Sequence, residues 1–465
     1  MIVPLQKENG RPSYAMSVIF VLAAIFFGGV SSAQDLAGLR TGNYTGVDGV
    51  FFNPANIAGS PYKWDVNIWS LNLMVGNDKA SYSFKDLTHS LNGDTLKQRI
   101  AGAKSGPTSA LINMSVLGPS FMFNIGKKNA FAFSTRVRIM ANTKHVDGKL
   151  LNQFISQQVD DPDLPYTFST PGDNQISVNA WTEFGASFGR VLLDAGPNYL
   201  KGGITLKYLA GVANAYLQMN NLNGTLNTDA GGVYLAQTSG TLGVGFGGTR
   251  IDDIKDGHLG GLNSSGFGGD IGFVYEFRPK PHEYLLRAGI ALLDVGAISY
   301  KQDTTRTGTY SAHITGAQQL YLNEFGEVDN YKQFLQSHPQ YFTAVPVGNG
   351  SSYSVGLPTT LQLDLDYHIY HGFYADLASQ FSLAGSKPYN SSYYNAFTLT
   401  PRWESRHFGF YLPVNYNDLT HFNAGFSARV GPFFFGSGSV LSAMLKNSKQ
   451  ADFYFGFRVG GLRKG

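Results

Sequence analysis

Hydrophobic and polar residues alternate strictly along many segments of this chain. In the segment FAFSTRVRI, Phe131, Phe133 and Val137 share one face, whereas Arg136 and Arg138 point to the other. Alternation with a period of two residues is typical of a β-strand that has one face in an apolar environment. The pattern recurs in LQLDLDYH, HFGFYLPVNY, HFNAGFSARV and DFYFGFRV.

The composition of the two faces favours a membrane barrel over a soluble sandwich. The apolar face is rich in Phe and Leu, and the polar face carries mainly Gly, Ser, Asn and Tyr. Only 14% of the residues are charged, against about 25% in ordinary soluble domains. Strands of transmembrane barrels turn an apolar face to lipid and a polar face to the lumen. We therefore predict an all-β fold, a transmembrane antiparallel up-and-down β-barrel.

The number of alternating segments predicts about fourteen strands. An even number suits a single-chain bacterial barrel, in which closure of the ring leaves no open edge. The strands are predicted near residues 62–75, 109–126, 130–141, 177–190, 200–216, 268–279, 283–300, 357–368, 372–383, 392–401, 407–416, 420–430, 433–441 and 451–461.

The predicted connections alternate between long and short as far as residue 372, which places every short turn on the periplasmic side. Two long connections, Phe84 to Ile100 and Ala317 to Phe334, contain helix-like spacing. These segments either fold over the mouth of the barrel or form a docking surface. The connection 217–267 is either mobile or an added hairpin above the membrane.

The N-terminal residues 1–33 have the pattern of a secretory signal peptide. Lys7 and Arg11 supply positive charge, and an apolar stretch then leads to small residues that end at Ala33. An uncleaved anchor is the alternative, but the apolar run is short for a spanning helix. We predict export across the inner membrane, cleavage after Ala33 and insertion into the cell outer membrane. The mature chain would comprise a plug segment, 34–61, and a barrel, 62–465.

Several classes of chemistry are disfavoured. The chain has no cysteine, which excludes disulfides, thiol nucleophiles and Cys-ligated metals. A net charge of +3 does not suit a nucleic-acid binder. HExxH and P-loop motifs do not occur, and no nucleophile elbow is predicted. We expect no enzyme, no cofactor and no metal, and interpret two groups as solvated loop residues rather than metal ligands: His368 with His371, and Asp252 with Asp253 and Asp256.

Asn53, Pro54 and Ala55 follow a glycine-rich stretch and directly precede the first predicted strand. This segment resembles the N-terminal hatch of FadL-type fatty-acid transporters and of PorV-type barrels of the type IX secretion system. The segments GPSFMFNIGKKNAFAFSTRVR, TPRWESRHFGFYLPVNY and DFYFGFRVG resemble a Bacteroidetes outer-membrane family of unknown function, over nearly all of the mature chain. The resemblance implies fourteen strands and a hatch at residues 34–61.

Two non-enzymatic functions remain open. The barrel either binds or passes a small hydrophobic or amphipathic molecule in a FadL-like manner, or it presents its outer loops to a secretion or cell-surface complex, as PorV-type barrels do. A general porin is disfavoured because the predicted lumen offers few charges. The expected partners are outer-membrane lipid, a hydrophobic small molecule, and a secretion-machinery or surface protein; nucleic acid is not expected.

Acidic residues gather on the predicted lumen face near Tyr370. A turn centred there would place Asp364 opposite Asp376, with Asp366 on the same face. Like charges directly opposite are destabilising, so a basic group should neutralise them. We predict an arginine–carboxylate latch that holds the plug; a water-filled lumen, in which the acids need no partner, is the alternative. The candidate arginines are Arg136, Arg138, Arg429 and Arg458 on strands, and Arg40 in the plug.

Overall fold

A computed structural model describes most of the chain. The described residues are 36–83, 106–156, 159–249, 264–280, 283–325, 331–346, 350–445 and 448–463. The predicted signal peptide, the helix-like segment from Phe84 to Ile100 and the acidic group at residues 252–256 lie outside them. No helix among the described residues is long and apolar enough to cross a membrane.

The molecule is built almost entirely of antiparallel strands. The first eleven are Tyr62–Asn77 (β1), Pro107–Leu117 (β2), Ser120–Ile125 (β3), Asn129–Asp147 (β4), Tyr166–Ala195 (β5), Asn198–Asp229 (β6), Gly232–Gly248 (β7), Ser265–Phe277 (β8), Leu286–Lys301 (β9), Gly308–Ile314 (β10) and Leu320–Tyr321 (β11). The others are Phe342–Val345 (β12), Ser352–Gly356 (β13), Thr360–Tyr370 (β14), Phe373–Ser382 (β15), Ala396–Glu404 (β16), Phe408–Tyr411 (β17), Val414–Asn417 (β18), His421–Ala424 (β19), Phe426–Val430 (β20), Phe433–Ser437 (β21) and Gln450–Leu462 (β22).

These strands form a closed ring. Each wall strand pairs with its neighbour in chain order, and β22 returns to pair with β1 from Tyr62 to Gly76. Four wall strands are interrupted once each and comprise the pairs β2–β3, β13–β14, β17–β18 and β19–β20; Pro119, Pro358 and Pro413 lie at three of the interruptions, as expected for a residue without a ladder donor. Counted this way, the wall has fourteen strands, which confirms the predicted fold class.

The two faces of the wall match the predicted alternation. Phe131 and Phe133 of β4 are exposed on the outside, whereas Arg136 and Arg138 are 5% and 1% exposed and point inward. Leu365 of β14 is exposed while Asp366, the next residue, is fully buried. The exterior is therefore an apolar surface suited to lipid, and the interior is polar.

One end of the barrel carries a large extension, here called the rim. Strands β5 and β6 are 30 and 32 residues long, whereas about 9–11 residues suffice to cross the hydrocarbon. Their upper parts pair with each other and with β7, and the sheet continues through β10 to β12. Of the two alternatives for the connection 217–267, the added hairpin is thus confirmed for β6 and β7.

Short helices cover the rim sheet. They are Gly148–Ser156 (α1) and Tyr331–Ser337 (α2), with a 3-10 turn at Leu322–Glu324; a third helix, Val440–Leu445 (α3), follows β21 in the wall. Phe325, Leu335 and Phe342 join the buried apolar cluster beneath them. The described part of the predicted helical segment 317–334 therefore folds onto the rim and buries its own apolar face.

Candidate functional site

The N-terminal segment, residues 36–60, lies against the inward faces of the wall strands. It forms three 3-10 turns, Leu39–Thr41, Gly46–Phe51 and Pro54–Ile57. Hydrogen bonds join it to strands spaced around the ring, with partners at Asp65 (β1), Phe273 (β8), Arg287 (β9), Gln362 (β14), Ser427 (β20) and Tyr454 (β22). Partners on so many strands place the segment across the interior.

Asn53 anchors the segment to the wall. Its Oδ1 accepts a hydrogen bond from the backbone N–H of Ala55 at 3.0 Å, so it caps the last 3-10 turn, which begins at Pro54. Its Nδ2 donates to the carbonyl oxygens of Phe273 at 3.1 Å and Ile290 at 3.2 Å. One side chain thus caps the start of a turn and joins that turn to two strands.

Three glycines form the seat for this turn. Gly189 pairs with Gly203, and Gly203 pairs with Gly272, which aligns them across β5, β6 and β8. A Cβ at Gly203 would lie 2.4 Å from the backbone of Pro54 and Ala55. The Asn-Pro-Ala turn can approach the wall this closely only because these positions have no side chain.

The register of the acidic cluster differs from the sequence prediction. Asp376 pairs with Asp366, and Asp364 pairs with Ala378, so the predicted pairing of Asp364 with Asp376 is wrong. The turn residues are His371 and Gly372, both with positive φ as in a two-residue hairpin turn, and a bulge lies between His368 and Tyr370. Together they move the pairing by two residues.

Arginines do neutralise this cluster, but the two main ones were missed from sequence. Arg402 makes two hydrogen bonds to Asp366, at 2.8 and 2.7 Å, and Arg287 lies 3.3 Å from it. Arg287 also donates to the carbonyl oxygen of Thr41 at 2.7 Å and to Asn43 Oδ1 at 3.1 Å. Arg287 therefore connects the acidic cluster directly to the N-terminal segment.

The predicted partner Arg40 reaches the same wall at a neighbouring position. It donates to Gln362 Oε1 at 2.6 Å and lies within electrostatic range of Asp364. The carboxyl oxygens of Asp376 have no hydrogen-bond partner among the described residues, although the side chain is fully buried.

The other predicted arginines face inward but do not contact the acidic cluster. Arg458 donates to the Tyr44 carbonyl oxygen and lies 3.5 Å from Asp48 and from Asp65. Arg429 donates to the carbonyl oxygen of Ser405 at 2.7 Å and lies 4.7 Å from the centre of the Tyr44 ring. Both arginines thus hold the N-terminal segment at a different part of the wall.

Arg136 and Arg138 belong to a third group, a buried ion network that sequence reasoning did not identify. Both arginines bind Glu183 of β5, at 2.7 and 2.8 Å, and Arg138 also binds Asp294 of β9 at 2.8 Å. Lys207 completes the network through Asp270 and Asp294. The alternation of polar and apolar residues did indicate that both arginines point into the lumen. Their partners could not be predicted, because Asp294 lies on a distant strand, at a bulge.

A second segment enters the lumen from the opposite side. It is the connection between β15 and β16, residues 383–395, here called the inner loop. Asn179 donates to the Tyr389 carbonyl oxygen at 3.0 Å, Asn142 donates to the Ser392 carbonyl oxygen at 2.8 Å, and Arg138 donates to the Tyr393 hydroxyl at 2.9 Å.

A cavity of about 50 Å³ lies between the N-terminal segment and the inner loop. Phe51, Phe52 and Tyr393 contribute aromatic surface to its lining. Arg40 and Gln362 contribute polar groups. The cavity is thus amphipathic and is bounded by both inserted segments.

A closed ring with an apolar exterior and a filled polar interior defines a transmembrane β-barrel. The chain belongs to the family of unknown function DUF5723, whose model matches residues 54–438. This confirms the family resemblance seen in the sequence. No curated protein matches the chain.

Solved barrel structures are similar over most of their length. The toluene transporter TbuX of Ralstonia pickettii is 12% identical, with a TM-score of 0.43, over 94% of this chain and 99% of that one. The toluene transporter TodX of P. putida is 9% identical, with a TM-score of 0.39, over 90% and 95%. A FadL homologue of Pseudomonas aeruginosa is 11% identical, with a TM-score of 0.32, over 93% and 99%.

Proposed function

We propose that this protein is a barrel of the outer membrane that binds a small hydrophobic or amphipathic molecule between the N-terminal segment and the inner loop. The observation that carries the proposal is the cavity itself, which places the aromatic rings of Phe51 and Phe52 beside the polar groups of Arg40 and Gln362. Such a lining suits a molecule with an apolar body and a polar end.

The closed form described here would have to open before a solute could pass. An apolar cavity of about 150 Å³ accommodates benzene, whereas this cavity measures about 50 Å³. We propose that residues 34–61 act as a plug and that their displacement opens the lumen, since a fourteen-strand ring without a filling segment would leave an aqueous opening.

Deletion of residues 36–58 tests this proposal. In planar bilayers, the full chain should give little current and the deleted chain should give a stable pore. In solute-loaded liposomes, only the deleted chain should let small amphipathic probes pass. Mass spectrometry of the full chain extracted in mild detergent should detect a co-purified small molecule. A heat-modifiable band on gels verifies that the barrel is intact. Unchanged current from an intact deleted barrel would overturn the plug, and absence of any bound or admitted molecule would overturn the solute function.

A second function is favoured by the rim. Its sheet and helices share an apolar cluster of their own, so the rim is an ordered structure that extends beyond the wall. We propose, as the alternative, that the rim presents a surface to a secretion or cell-surface complex. Replacement of residues 221–240 by an Asn-Gly turn should then abolish photo-crosslinks to that complex while solute binding persists.

A further inference from the structure

The two segments inserted into the lumen rest on adjacent arginines of one strand. The guanidinium of Arg136 lies 4.6 Å from the ring centre of Phe51, in the N-terminal segment. Two residues further along β4, Arg138 donates a hydrogen bond of 2.9 Å to the hydroxyl of Tyr393, in the inner loop. One strand therefore contacts both segments through side chains of the same kind.

These arginines are not independent, because they share both of their carboxylate partners. Glu183 accepts from Arg136 through Oε2 at 2.7 Å and from Arg138 through Oε1 at 2.8 Å. Asp294 lies 2.8 Å from Arg138 and 3.7 Å from Arg136. A guanidinium that moves must leave a buried carboxylate undercompensated or draw it along, and in either case the other arginine loses its fixed position.

We propose that this network couples the two segments, so that release of one weakens the seat of the other. Displacement of Phe51 would free Arg136 to turn toward the cavity, which would loosen Glu183 and with it the arginine that holds Tyr393. Displacement of Tyr393 acts in reverse through the same carboxylates. Arg136 and Arg138 are positioning residues, and the coupling goes beyond the proposed function, since it holds for the closed barrel whether or not a solute binds.

The absence of native cysteine allows a direct test with single-cysteine reporters. Val47 is fully buried in the N-terminal segment and Ser392 is 8% exposed in the inner loop. Val47→Cys and Ser392→Cys, in separate proteins, report the opening of each segment as the rate of reaction with a soluble maleimide. Each is combined with Tyr393→Phe or Phe51→Leu, in full-length barrels verified by heat-modifiable migration.

Tyr393→Phe removes only the hydroxyl that Arg138 binds, yet it should accelerate labelling at position 47 about fivefold or more, the lower range of typical coupling between sites. Phe51→Leu should accelerate labelling at position 392. Because coupling free energies are reciprocal, double variants should show the same coupling factor from both reporters. Tyr394→Phe is the matched control, since Tyr394 lines the same cavity and its hydroxyl makes no hydrogen bond to the ion network.

The proposal would be overturned if each variant raised the labelling rate only at the cysteine in its own segment and left the labelling rate in the other segment unchanged. Arg138→Lys gives a second route to the same decision. Lysine keeps the charge but cannot join Glu183, Asp294 and Tyr393 with the planar geometry of a guanidinium. Arg138→Lys should raise the labelling rate at both reporter cysteines. A higher rate at position 392 alone would contradict the proposal.

Discussion

A methyl group added at Gly203 should unseat the N-terminal segment. The new Cβ would lie 2.4 Å from the Pro54 carbonyl carbon and from the Ala55 nitrogen, whereas ordinary contact begins at 3.4 Å, so the turn must retreat by the difference, about 1.0 Å. Such a shift breaks the bonds from Asn53 Nδ2 to two strands, which now measure 3.1 and 3.2 Å. Two hydrogen bonds are worth roughly 1–3 kcal/mol in total.

This loss should lower the ratio of seated to unseated segment by roughly 5- to 150-fold, since about 1.4 kcal/mol corresponds to a factor of ten. The assay is maleimide labelling of Val47→Cys, together with the open probability of single channels. Gly202→Ala is the matched control, because that residue is next in the chain and the nearest atoms to its added Cβ belong to the side chains of Leu192 and Phe273, at 3.0 and 3.3 Å, and not to the N-terminal segment. Identical labelling in the two alanine variants and the parent would refute the seat.

Two further predictions concern the latch and the rim. Arg287→Ala removes the link between Asp366 and the Thr41 carbonyl oxygen. It should raise the rate of maleimide labelling in the N-terminal segment and lower the free energy of unfolding by up to about 3–5 kcal/mol, the cost of breaking a buried ion pair. Alanine at an exposed wall arginine should change neither the labelling rate nor the stability. In the rim, burial alone would raise the pKa of Asp161, but hydrogen bonds from Lys149 and other donors outweigh it and hold that pKa below its ordinary value. A depressed folded-state pKa stabilises above the unfolded value, about 3.9, and the contribution is lost as pH falls through the folded value. Pepsin should therefore cut helix α1 more readily as the pH falls from about 4, and Asp161→Asn should remove that pH dependence.

The sequence was sufficient for the wall because alternation with a period of two is a local property. It assigned Arg136 and Arg138 to the lumen without knowledge of any partner, and both are buried there. Register is a different matter, since the turn at His371 and Gly372 and the bulge beside His368 together moved Asp376 from Asp364 to Asp366. A single extra residue in a strand changes every pairing beyond it, and no composition or periodicity reveals it in advance.

Ion partners on other strands are harder still to predict. Arg287 of β9 lies directly opposite Asp366 of β14 in the paired strands, and Arg402 reaches Asp366 from β16, two strands away. In the sequence, Arg287 is a single charged residue in the apolar stretch LLRAGI, and nothing in that stretch indicates its partner. The alternation along a strand predicts which residues point into the lumen. Which of several inward arginines binds a given carboxylate depends on strand register and on the path of the N-terminal segment.

The expectation that the lumen offers few charges was wrong, and the correction bears on the porin hypothesis. The network on β4 to β9 alone contains three cations and three anions: Arg136, Arg138, Lys207, Glu183, Asp270 and Asp294. Its charges sum to zero, and each is engaged by a partner within 3 Å, so little field remains to select a passing ion. Charges arranged in this way hold strands and inserted segments in place, because buried pairs fix geometry even when they add little net stability. An abundance of lumen charges therefore supports a braced, closed interior rather than an ion-selective channel.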